Sequence, residues 1–178
     1  MAHVSNFTQA GDKIVLDMIN EDNNSFFTLA TISIARGVAA PVTLNSTALL
    51  TALEGSGYTG TDSVEYNRLQ LQEFADLYFE DGLVVQLGDA VSAKDLFDEI
   101  NTALGTNLVL GTDLADLPIP AWEGIPNEQK EIVLPVLESS LVYLGSLTFK
   151  VDGNEIPLSS VITTKVLTGL NLPVVAPE

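Results

Sequence analysis

No cysteine occurs in the 178 residues, which removes disulfides, thiolate nucleophiles and Cys-ligated zinc or iron–sulfur centres together. Histidine is nearly as scarce. The single His3 stands at the very start of the chain, whereas a Ser-His-Asp arrangement needs its imidazole held in a packed site. Cations are few as well: seven Lys and Arg face 24 Asp and Glu, for a net charge of −17. They are scattered from Lys13 to Lys165 without a cluster. Phosphate backbones and anionic membranes are bound by clustered cations that release counterions, so neither is an expected partner. The longest apolar stretches fall short of the ~18–20 residues that span a bilayer. Residues 1–12 lack the basic-then-apolar order of a secretory signal.

What is abundant is apolar. Hydrophobic residues make up 46% of the chain, charged ones 17%, and the mean hydropathy is +0.28. Such a composition predicts a sizeable core with part of the surface covered by another chain.

Turn formers divide the chain into short segments. An N-terminal arm, residues 1–11, precedes an amphipathic helix over 12–20, with Ile14, Val15, Met18 and Ile19 on one stripe. Alternation predicts strands over 26–34, 42–53, 63–71, 83–87, 131–137, 141–151 and 161–167. The change of parity between Val64–Tyr66 and Leu69–Leu71 implies a bulge near Asn67-Arg68, or a change of partner sheet. Residues 72–78 allow one helical turn. The clearest helix opens at Ser92 with Asp95 in the capping-box position, carries Leu96, Phe97, Ile100 and Leu104 on one face, and closes at Gly105. Asp152-Gly153-Asn154 reads as a hairpin turn and residues 171–178 as an extended tail. The resulting class is α+β: mainly antiparallel β, sandwich-like, with two short helices and an extended C-terminal tail. The boundaries are an arm (1–11), one α+β domain (12–151), and a C-terminal strand with an extended assembly arm (152–178).

The candidate chemistry is thin. Gly55, Gly57, Tyr58 and Gly60 form a glycine-rich loop, but a strand follows it and the nearest cation is Arg68. A phosphate cradle needs a helix N-terminus behind the loop and a nearby Lys; this one is a structural turn. Carboxylates at Asp95, Asp98, Glu99, Asp113 and Asp116 are numerous, yet no calcium-loop pattern appears. Asn6 and Asn45 head glycosylation sequons, and Trp122 lies among prolines. No catalytic residue, cofactor or metal ligand is assigned. Beyond Asp152, Leu170, Leu172, Val174 and Val175 carry more apolar surface than a free tail needs, which marks them as assembly residues. One internal echo links Tyr58-x-Gly60 before Val64-x-Tyr66 to Tyr143-x-Gly145 before Phe149-x-Val151.

Four segments, "LDMIN", "SGYTG…VEYNRLQL", "VSAKDLFDEINTALGTNL" and "SLVYLGSLTFKV", spread over roughly residues 12–151. Together they resemble a family of virion structural proteins from large tailed bacteriophages. The resemblance implies a non-enzymatic, multi-copy particle component, made in the host cytoplasm and placed in the virion. Head decoration or neck collar stands ahead of tail tube or baseplate, and the partners implied are copies of itself and other virion proteins. The alternative from another class is a β-rich binding module for a glycan or host surface.

Overall fold

The structure, a computed structural model, describes residues 6–38, 43–119 and 129–153. Its elements run α1 (Gly11–Asn23), β1 (Ile32–Arg36), β2 (Ser46–Ala52), β3 (Thr61–Tyr66), β4 (Leu69–Gln70), α2 (Leu71–Asp76), β5 (Leu83–Gln86), α3 (Ala93–Leu104), β6 (Gln129–Pro135), β7 (Tyr143–Leu144) and β8 (Ser146–Asp152). The fold is α+β. One sheet is the antiparallel meander β1-β2-β3; a second has the order β5-β8-β6. Its β6–β8 pair is antiparallel. The pairing is mainly antiparallel, as the turn-rich sequence predicts, with two parallel pairings besides, β5 with β8 and β4 with β7. The parity switch after Tyr66 is a change of partner sheet: β3 pairs with β2, whereas β4 pairs with β7. The expected strand 161–167 and the turn at Asn154 lie outside the described residues.

Two boundaries differ from the sequence expectation for local reasons. Helix α1 continues through Glu21 to Asn23 and stops where Asn24 adopts a left-handed conformation (φ 49°). The strand expected from Phe26 starts only at Ile32. Before it, the N–H groups of Thr31 and Ile32 donate to the Thr28 carbonyl at 2.8 and 3.0 Å, and the Thr28 N–H donates to Thr31 Oγ1. A hydroxyl that bonds the nearby backbone competes with a ladder, and here the turn wins.

Helix α3 follows its caps. The Asp95 carboxylate accepts from the N–H groups of Val91 (3.0 Å) and Ser92 (2.8 Å) and from the Ser92 hydroxyl (2.9 Å). Gly105 ends the helix in the left-handed region (φ 63°). Leu96, Phe97, Ile100 and Leu104 enter the larger of two cores, together with β5, β6 and β8. The smaller core holds Val15 and Ile19 of α1 against Ala48 and Tyr66. Helix α1 belongs to both, because Ile14 faces the larger cluster while Val15 and Ile19 face the smaller. The arm reaches the larger core too: the Phe7 ring lies 5.0 Å from Phe74 and 6.5 Å from Tyr143.

The two cores are halves of a repeat. At the end of α1, Asn20 Oδ1 accepts from the Ser25 hydroxyl (2.9 Å) and the Phe27 N–H (2.8 Å), while its Nδ2 donates to the Phe27 carbonyl (2.8 Å). At the end of α3, Asn101 makes the same three bonds to the Thr106 hydroxyl (2.9 Å), the Leu108 N–H (2.7 Å) and the Leu108 carbonyl (3.0 Å). Downstream, Ile32 sits opposite Ala52 as Leu114 sits opposite Val136. Hairpin β2–β3 places Thr51 opposite Thr61 and Ser46 opposite Tyr66; hairpin β6–β8 places Pro135 opposite Ser146 and Lys130 opposite Val151. Both hairpins close alike, with the Gly60 carbonyl accepting from Ala52 N–H at 3.0 Å and the Gly145 carbonyl from Val136 N–H at 2.9 Å. The Tyr-x-Gly echo is one corner of this larger correspondence. The connector carrying β4, α2 and β5 joins the halves.

Replacing Asn101 by Ala leaves the buried Leu108 amide and carbonyl without partners, so it should cost roughly 1–3 kcal/mol. A melt should then fall by about 2–4 °C per kcal/mol in a chain of this size. Asn20→Ala should act in the same direction. A pH effect follows from the cap of α3. The hydrogen bonds from Val91 and Ser92 hold the Asp95 carboxyl below its usual range. A depressed carboxylate stabilises fully above its unfolded pKa, and the contribution is lost as pH falls through the native one. The melting difference between the parent chain and Asp95→Ala should therefore be constant from about pH 5 to 8 and shrink below about pH 4.

Candidate functional site

The glycine loop is a turn, and it also forms the wall of a groove. Gly57 and Gly60 have φ of 84° and 87°, a region that side chains with a Cβ rarely enter. The turn carries Tyr58 outward, where 48% of it stays exposed while its ring meets Phe27 edge-on at 5.1 Å. Phe27 is held in place by the Asn20 bracket at the end of α1. Between them opens a groove of about 550 Å³ floored by Ile32, Leu50, Ala52 and Val64, with Asn23 and Asp62 at its margin. A smaller hollow of about 170 Å³ adjoins it along Ile19, Asn23 and Val64. An apolar and aromatic floor is edged by the polar side chains of Asn23, Ser25, Thr59, Thr61 and Asp62, a composition suited to holding another chain or a ligand face.

Polar side chains gather elsewhere, at the seam between the halves. Arg68 Nη1 donates to the carbonyls of Ser140 and Tyr143, each at 3.1 Å. The Tyr66 hydroxyl donates to the Leu141 carbonyl at 2.6 Å. Burial pushes the Tyr66 phenol up. Burial, followed by the positive charge of Arg36, lowers the Arg68 guanidinium from its ordinary value. Arg36 itself donates to the Thr47 carbonyl at 2.8 Å. Asp113 is buried, its carboxylate accepting from Ser140 Oγ (2.6 Å) and Val109 N–H (3.0 Å). Beside it burial, then the Asp113 charge, raises the Tyr143 phenol far above its usual value. Tyr66 and Arg68 bond the backbone of the other half and so fasten the two, whereas Arg36 and Asp113 bond within their own half and the buried Tyr143 hydroxyl has no hydrogen-bond partner.

The carboxylates singled out in the sequence do not converge. Asp95 caps α3, Asp113 braces a turn, and Glu99 Oε1 accepts from the Gln86 N–H at 3.4 Å. Among the described residues no group of three His, Asp or Glu side chains is placed to hold a metal ion, and no helix is long and apolar enough to cross a membrane. His3, Trp122 and the assembly residues Leu170, Leu172, Val174 and Val175 lie outside the described residues. The residues that sequence reasoning missed are Asn20 and Asn101. The shared Asp-x-Ile-Asn of "LDMIN" and "FDEIN", each followed by Ser or Thr five residues after the Asn, was the available signal.

A family model matches residues 5–177. The chain belongs to DUF7941, a family of unknown function. No curated protein and no solved structure matches it. Among the described residues of this DUF7941 chain, the groove is the feature on which a functional reading can be built.

Gly57→Ala and Gly60→Ala should each lower stability by about 1 kcal/mol or more through backbone strain, because an added Cβ meets no atom within 4 Å at either position. Chemical denaturation measures the change. An unaltered midpoint in both variants contradicts the turn assignment.

Proposed function

We propose that this protein is a non-enzymatic structural component of a tailed-phage virion, present in many copies. The observation that carries the reading is the use the fold makes of the motif residues. Asn101 of "INTALGTNL" brackets a helix end, Gly60 of "SGYTG" closes a hairpin, and Tyr66 and Arg68 of "VEYNRL" tie one half to the other. All are architectural roles, as the virion-protein resemblance implies for these positions. Head decoration or neck collar is the favoured place, with tail tube or baseplate behind. A tube subunit would use the acidic surface to line a lumen through which DNA slides, a decoration protein for solubility. Its partners are copies of itself and other virion proteins, without direct nucleic-acid contact.

A second reading, a β-rich module that binds a glycan or host surface, is favoured by one observation: the half-exposed Tyr58 ring at the groove. Sugar faces stack on such rings. Glycan-array binding that disappears in Tyr58→Ala would favour this reading over the first.

Particles purified from the phage that encodes the chain should contain it in many copies by quantitative mass spectrometry, and immunogold should label the head or neck. Intact particles that lack the chain would overturn the proposal.

A further inference from the structure

In the second half of the repeat, the surface that corresponds to the groove is not open. Leu108, Leu114, Leu134, Tyr143 and Phe149, the counterparts of Phe27, Ile32, Leu50, Tyr58 and Val64, are all at least 97% buried. The connector that leaves the first half covers them. Its β4 pairs Leu69 with Tyr143 and Gln70 with Leu144. Its α2 puts Leu71, Phe74 and Ala75 into the larger core, and Gln72 Oε1 accepts from the Thr148 N–H at 2.7 Å. The fit is close at the hairpin corner: a Cβ on Gly145 would stand 2.6 Å from Gln70 Oε1. At the matching Gly60 it would meet nothing within 4 Å. The first half thus has the same receptor without an occupant among the described residues.

We infer that this groove receives the segment that follows β8, residues 154–178, from a second copy of the chain, joining copies head to tail. Each half then hands its exit segment to the half after it. The sequence of that segment is apolar enough for the task, with Ile156, Leu158, Val161, Ile162, Val166 and Leu167. By the register of β4 on β7, Asn154 comes opposite Tyr58 and Glu155 opposite Thr59.

The direction of transfer separates a second copy from the chain's own tail. If a two-fold axis related the halves, each would touch the other with the same face. They do not. Ile14 and Met18 of α1 pack against the larger core, but the matching positions of α3 are the exposed, acidic Asp95 and Glu99. The relation runs one way, so repeating it carries the exit of the second half onward, to the first half of another molecule. The same acidic face gives a neighbour's loop nothing to pack on, so the joint between copies rests on the tail segment. This inference stands on the repeat and not on where the protein resides in a particle.

The absence of cysteine makes the test clean. Full-length Thr59→Cys and Glu155→Cys chains are purified separately, mixed at micromolar concentration and mildly oxidised, with Thr59→Cys plus Asp89→Cys as the collision control. The expected result is a disulfide-linked dimer forming at least tenfold faster in the first mixture, and slowed at least tenfold by adding Val64→Glu to the Thr59→Cys chain. Equal rates in the two mixtures would overturn the inference. So would rapid closure within single molecules of the double variant, which would seat the tail on its own groove.

Discussion

The fold depends on the burial of one short segment, β4 with α2, in the hollow of the second half. Leu71 is fully buried there and Phe74 nearly so. Interring side chains of that size is worth roughly 1.5–3 kcal/mol each, against a net stability of about 5–15 kcal/mol for a whole domain. The segment also fixes geometry: it leaves β3, ties into β7 and β8, and delivers the chain to β5 as the parallel edge of the second sheet. Removing it would leave the second half as open as the first half is.

Two kinds of feature differed in how far the sequence revealed them. Helix α3 was legible almost to the residue because its ends are written in local chemistry: Ser92 and Asp95 at one end, Gly105 at the other. The α+β class and the turn at Gly55, Gly57, Tyr58 and Gly60 were legible for the same reason. The parallel pairings were not. Strands as short as Leu69–Gln70 and Leu83–Gln86 carry no periodicity that specifies a partner distant in sequence. Nor was the start of β1, where Thr31 bonds Thr28 and breaks an alternation that continues on paper.

The groove was the least legible feature. Its residues, Phe27, Leu50, Tyr58 and Val64, read as ordinary strand and turn positions, because what marks them is the lack of a cover among the described residues. A cover supplied by a distant connector in one half, with no counterpart among the described residues in the other, leaves no local trace. Only the comparison of the halves exposes it, and that comparison rests on Asn20 and Asn101, whose side chains sit at matching helix ends.

Both arginines of the chain are turned toward its own backbone, Arg36 to the Thr47 carbonyl and Arg68 to those of Ser140 and Tyr143. Of the lysines, Lys13 is paired with Asp17. The guanidinium is the group best shaped to grip a phosphate with two parallel bonds, and neither copy of it is free to do so. A polyanion drifting within a Debye length, about 8–10 Å in physiological salt, therefore meets carboxylates with no forked donor among them. The chain's guanidinium chemistry is thus spent on holding its own backbone in place.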